Sequence, residues 1–153
     1  MTPAGIILAA GESSRMGTDK ALLRYGGASF LEHLVSLLRP RVAPVVVVLG
    51  HNAEEIRAAL SAPCEVVINT NYLAGQLSSL QAGIRALPAD SPAALVALVD
   101  HPAIAAATVD ALLERFESAA PAVLIPRYQG RRGHPVVFSR AVLEELLALP
   151  PSA

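Results

Sequence analysis

Four stretches of this 153-residue chain gather residue types suited to chemistry on anions. The first is Leu8-Ala9-Ala10-Gly11-Glu12-Ser13-Ser14-Arg15-Met16-Gly17-Thr18-Asp19-Lys20, a short apolar run that passes straight into two glycines, two serines, an arginine and a lysine. Glycines let the backbone approach a ligand and present N–H groups as an anion nest. Arg15 adds a planar fork suited to phosphate, and Lys20 a compact charge. Together these can hold a triphosphate. The plainer reading is a strand-to-helix turn with solvated charges. Five residues separate Gly11 from Gly17, and Thr18-Asp19 intervenes before Lys20, so the Walker A pattern fails. The dinucleotide fingerprint G-x-G-x-x-G is absent too.

In the second stretch, Ala94-Leu95-Val96-Ala97-Leu98-Val99-Asp100-His101-Pro102, a carboxylate ends an apolar run. A carboxylate there is costly unless it binds a cation or a partner. Mg²⁺ favours one or two carboxylates completed by waters and substrate phosphates. Asp100 can equally cap the next turn, and spacing alone leaves both open; His101 reads as a loop residue. The third stretch, Asn69-Thr70-Asn71-Tyr72-Leu73-Ala74-Gly75-Gln76-Leu77-Ser78-Ser79-Leu80, is a polar loop delivering a helix N-terminus, which favours a phosphate or a base edge. On residue chemistry alone Ser78 is a plain N-cap. The fourth, Gly130-Arg131-Arg132-Gly133-His134-Pro135-Val136-Val137-Phe138, reads as a basic hairpin.

The first stretch resembles the signature of the MobA/MocA-like NTP transferases, roughly L-A-[AG]-G-x-S-x-R-M-G-x-x-K, with Gly11, Ser13, Arg15, Met16, Gly17 and Lys20 in place. The resemblance implies that Ala9, Ala10 and Gly11 approach base and ribose, with Leu8 heading the same nucleotide-binding stretch. It implies that Ser13, Ser14 and Arg15 contact phosphates, that Gly17 is among the nucleotide-binding residues, and that Lys20 neutralises charge around the reacting centre. The third stretch is similar to the family's N-x-x-x-x-x-G-x-x-x-S-L element, which implies that Asn69 and Ser79 face the base. Asp-His-Pro at 100–102 matches the family's D-x-P, implying that Asp100 is the metal ligand and the cofactor Mg²⁺. Gly133-His134-Pro135-Val136 resembles G-H-P-[VI], implying that Arg132 and His134 contact the acceptor.

The activity implied is transfer of a nucleoside monophosphate from an NTP to a phosphorylated small molecule, with Arg15, Lys20 and Asp100 as catalytic residues. Ala9-Ala10-Gly11 is of the cytidylyl kind and favours CTP. Thr18-Asp19-Lys20-Ala21-Leu22 is of the guanylyl kind and makes GTP the second choice. The molybdenum cofactor is the expected acceptor, and a sugar phosphate the next. Members of the family continue for some tens of residues after the G-H-P helix, through a late strand and a D-x-D-T-P element. No such element follows His134. That departure makes this a short member or a piece of a longer one, and raises the alternative of a nucleotide-binding or regulatory module without turnover.

The elements that must position these residues are legible in the apolar pattern. Hydrophobic residues make up 53% and aromatics only 4%, so the core must be built from Ala, Val, Leu and Ile, as suits a parallel sheet buried on both faces. Ala4–Ala10, Val45–Gly50, Glu65–Asn69, Ala93–Val99 and Ala122–Pro126 read as strands. Between them Ser29 with Glu32, Asn52 with Glu55, and Ser78 with Gln81 have the spacing of capping boxes. Further helices are expected over Thr108–Ala119 and Ser139–Leu149. Alternating strands and helices predict one α/β domain spanning 1–153: a three-layer, Rossmann-like, mostly parallel sheet similar to the nucleotide-diphospho-sugar transferases, C-terminally short. In such sheets ligands bind at the carboxyl ends of the strands. With 12 basic against 13 acidic residues, no global field favours nucleic acid or an anionic membrane. The single Cys64 excludes an intramolecular disulfide and reads as a small buried apolar residue. The N-terminus lacks a signal-peptide pattern and no apolar run approaches membrane-spanning length, so a cytoplasmic protein is expected, with a homo-oligomer as one way to cover an open sheet edge.

Overall fold

The valine-rich and alanine-rich runs become the centre of the molecule. The computed structural model describes residues 2–11, 22, 24–25, 27–99, 104–128 and 131–152. Its elements in chain order are β1 (Ala4–Ala9), β2 (Arg24–Tyr25), β3 (Ala28–Ser29), α1 (Phe30–Leu38), β4 (Val45–Leu49), α2 (Ala53–Ala59) and β5 (Glu65–Ile68). They continue with a 3-10 turn (Tyr72–Ala74), α3 (Gln76–Arg85), β6 (Ala93–Leu98), α4 (Ala106–Ala119), β7 (Val123–Leu124), β8 (Arg127–Tyr128), β9 (Arg131–Arg132), β10 (Val136–Ser139) and α5 (Arg140–Leu147).

The main sheet has the order β5-β4-β1-β6-β10-β7. β1 pairs in parallel with β4 and β6, and β4 with β5. β10 then enters antiparallel between β6 and β7. The sheet is therefore mixed and mostly parallel, as expected, but β10 is an addition. Its apolar residues Val136 and Val137 sit in the segment that reads by sequence as a basic hairpin rather than as a strand of the main sheet. The expected strand at 122–126 shrinks to Val123–Leu124, with Ile125 and Pro126 forming the link into β8.

Successive side chains of a strand point to opposite faces, and the core divides accordingly. On one face Ile7, Val47, Leu49, Leu95 and Ala97 meet Leu31, Leu34, Val35 and Leu38 of α1, Ile56 of α2, and Val109 and Leu112 of α4. On the other, Ile6, Leu8, Val46, Val48 and Val96 meet Ile84 of α3 and Leu143 of α5. Burying one such aliphatic side chain contributes about 1.5–3 kcal/mol, so these two layers dominate the driving force. α3 lies close above the sheet: a Cβ on Gly83 would fall 2.9 Å from Ile6 and 3.0 Å from Val48.

Of the expected caps, the one at Ser29 holds, its hydroxyl accepting from Glu32 N–H; Ser139, not among them, caps α5 in the same way by accepting from Val142 N–H. The expected caps fail at two other places. Asn52 is left-handed (φ 53°) and its side chain makes no capping hydrogen bond to α2. α3 begins at Gln76 after Gly75, so Ser78 lies inside the helix. Gln81 reaches sideways instead, its amide N–H₂ donating to the carbonyls of Leu146 in the last turn of α5 and Leu149 just beyond it. Among the described residues no helix is long and apolar enough to cross a membrane.

Candidate nucleotide site

The parallel strands end together, and backbone hydrogen bonds extend their register past the last strand residues. His51 N–H donates to Ala10 O (3.0 Å), Asn69 N–H to Leu49 O (2.7 Å), and Val99 N–H to Leu8 O (3.1 Å). These bonds bring three of the four stretches to one edge: Ala10-Gly11 at the centre, Gly50-His51 and then Asn69 to one side, and Val99, which precedes Asp100, to the other. The fourth arrives through β10. Val136 pairs with Val96, so the chain running antiparallel from His134 and Pro135 enters the sheet from this same edge. Gly133 N–H donates to Pro126 O (2.9 Å) and closes the base of the β8–β9 ribbon that contains Arg132.

Leu8, Ala9 and Ala10 are buried, whereas Gly11 is exposed. Among the described residues nothing lies within 4 Å of where a Cβ on Gly11 would be, so their packing is not what requires glycine there. Ser13, Ser14, Arg15, Gly17, Lys20 and Asp100 lie outside the described residues. His134 is partly exposed at the entrance to β10.

Asn69 and Ser79 do come together, in a buried cluster. The Asn69 side-chain amide donates to Ser78 Oγ (2.9 Å) and Ser79 Oγ (3.0 Å), while its Oδ1 accepts from Asn71 N–H (3.0 Å). Ser78 Oγ in turn faces the carbonyls of Gly75 (2.6 Å) and Asn71 (3.1 Å). Ser78, which reads as a cap, is thus a knot holding the β5–α3 turn, and Asn69 is its centre. Both Asn69 (7% exposed) and Ser79 (4%) lend their polar atoms to this framework.

Tyr72 was not singled out by sequence reasoning. It packs against Gly50, and its hydroxyl lies 3.5 Å from His51 Nδ1. The available signal was scarcity: an aromatic in a polar loop of a chain with 4% aromatics. His51 has a structural part here through the backbone bond of its N–H to Ala10 O. Among the described residues no three His, Cys, Asp or Glu side chains gather to hold a metal.

Fold and site together define an α/β domain of the nucleotide-diphospho-sugar transferase kind, with a glycine presented at the carboxyl end of its central parallel strand. The chain belongs to the MobA-like NTP transferase domain family, whose model matches residues 5–153. It is 39% identical over 143 residues to nicotine blue oxidoreductase of Paenarthrobacter nicotinovorans, covering 88% of this chain and 69% of that one. It is 39% identical over 109 residues to molybdenum cofactor guanylyltransferase of Xanthomonas euvesicatoria pv. vesicatoria, covering 71% of this chain and 52% of that one. The chain thus spans about half the length of that curated relative. The crystal structure of Rv0371c from Mycobacterium tuberculosis superposes with a TM-score of 0.83 at 28% identity, over 98% of this chain and 78% of that one. Rv0371c has also been solved in complex with manganese.

Proposed function

We propose that this domain transfers a nucleoside monophosphate from an NTP, CTP before GTP, to a phosphorylated acceptor, the molybdenum cofactor being the acceptor of choice. The observation that carries the reading is Gly11, exposed at the end of β1 and clear of packing by the described residues, in a chain of the MobA-like family. An acceptor phosphate oxygen attacks the α-phosphorus, a new P–O–P linkage forms, and the α–β bond breaks to release pyrophosphate. The attacking phosphate is already ionised near neutral pH, so the chain need supply no general base. Its work is positioning and charge neutralisation. The Gly11 backbone borders the nucleotide, while Ser13, Ser14 and Arg15 hold its phosphates and Gly17 shapes the loop. Arg15 and Lys20 balance charge on the leaving group, and Arg132 and His134 meet the acceptor. Asp100 would hold Mg²⁺ with the phosphates, a donor set that suits a hard cation, and the ion would spread the charge of the triphosphate. The manganese complex of Rv0371c supports a divalent ion in this setting. The domain occupies 1–153 as one unit, and a cytoplasmic location fits its substrates.

The kinship with guanylyltransferases favours GTP as a second reading of the base. The kinship with nicotine blue oxidoreductase favours another: the same edge holding a nucleotide as a redox cofactor, without nucleotidyl transfer. Calorimetric titration of CTP and GTP with Mg²⁺, against wild type and Asp100→Ala, separates these. Metal-dependent binding of one nucleotide, lost in Asp100→Ala, is expected. Binding of NADH or NADPH in place of either NTP would replace the transferase reading with the redox one.

A further inference from the structure

We propose that Tyr72 is a positioning residue: its ring, set by the Asn69 knot, presses through Gly50 on the Ala10 carbonyl and so places Gly11 for the nucleotide. The claim rests on the reading of that edge as a nucleotide site. A Cβ on residue 50 would lie 2.7 Å from Tyr72 Cβ, 2.8 Å from Tyr72 Cγ and 2.9 Å from Ala10 O. All three distances are shorter than such contacts allow, so glycine is required for the tyrosine and the Ala10 carbonyl to close on the same point.

The next residue completes the clamp. His51 N–H holds Ala10 O at 3.0 Å, and the His51 ring meets the Tyr72 ring edge-on, with centroids 6.0 Å apart at 62°. Tyr72 itself opens the 3-10 turn that follows Asn71, whose N–H is held by Asn69 Oδ1. A contiguous path therefore runs from the N-terminus of α3 through Asn69, Tyr72 and Gly50 to Ala10 and Gly11. Contact along such a path is a reason to expect coupling, and a perturbation measured at its far end is what establishes it.

Tyr72 approaches Gly50 with its Cβ and the root of its ring rather than with its hydroxyl, which separates loss of the ring from loss of the hydroxyl alone. Tyr72→Ala should raise the Kd of the Mg²⁺–nucleotide complex on the order of tenfold, the range for coupling through packed neighbours. It should also speed hydrogen exchange at the His51 amide, the group bonded to Ala10 O. Tyr72→Phe should restore both to within about twofold of wild type, and Leu73→Ala, at an adjacent side chain that is 77% exposed, should change neither. Unchanged exchange at His51 in Tyr72→Ala overturns the proposal, and so does a Tyr72→Phe variant that behaves like Tyr72→Ala. If the wild-type protein binds neither CTP nor GTP, the transferase reading falls and the exchange rates alone decide. Faster exchange in Tyr72→Ala with rescue by Phe then supports the positioning, and equal rates overturn it.

Discussion

Cys64 illustrates how a residue can be inert by placement. It is partly buried against the α1–α2 side of the core, and burial pushes its thiol above the usual 9.0, with the Glu32 carboxylate adding to the rise and Arg39 opposing it. A thiol whose folded pKa is raised holds its proton more tightly when folded. The stability this contributes is fully present below the unfolded pKa and is lost as pH rises through the folded one. Denaturation midpoints should therefore fall as pH climbs above about 9, and Cys64→Ala should flatten that part of the profile. The same proton retention predicts slow alkylation of Cys64 at pH 8 compared with a free thiol. Residue type alone supported the inert reading of Cys64. It did not show that Asn69 and Ser79 would spend their hydrogen bonds on each other, because which partner an amide finds depends on how the turn folds back.

At the scale of elements, the strands were the legible part. Runs such as Val45–Leu49 are buried on both faces and admit few other structures. Helix starts were less so, since the capping spacing of Ser78 and Gln81 is indistinguishable in sequence from two residues of a helix interior with separate tasks. The task of Gln81 is to tie α3 to α5. It is 1% exposed, and its N–H₂ serves both Leu146 O and Leu149 O at 2.9 and 2.8 Å, while Oε1 has no partner among the described residues. Gln81→Leu keeps the volume but leaves two carbonyls without their donor, a change expected to cost about 1–3 kcal/mol. Urea denaturation reads that loss. Limited proteolysis should show earlier cleavage after α5 than in the wild type, and equal cleavage would mean that the apolar contacts of Leu143, Leu146 and Leu147 and the Arg140 bonds hold α5 without Gln81.

For the whole molecule, a ligand that binds only the folded state raises its stability by mass action. With Mg²⁺ and the preferred nucleotide at a hundredfold excess over Kd, the gain should be about 2.7 kcal/mol, read as a rise in Tm that EDTA abolishes. The antiparallel entry of β10 was not legible from the alternation of strands and helices, because it depends on which strand lies beside β6 rather than on any local pattern. That strand order delivers His134 to the edge shared by Gly11 and Asn69. Gly83, finally, bears on how such a domain can diverge. With α3 resting directly on Ile6 and Val48, the helix has no clearance to rise or slide without opening a void in the layer below. Descendants of this sequence would therefore acquire new substrates by rewriting the segments between elements, while the tier of helices above β1 and β4 stays where it is.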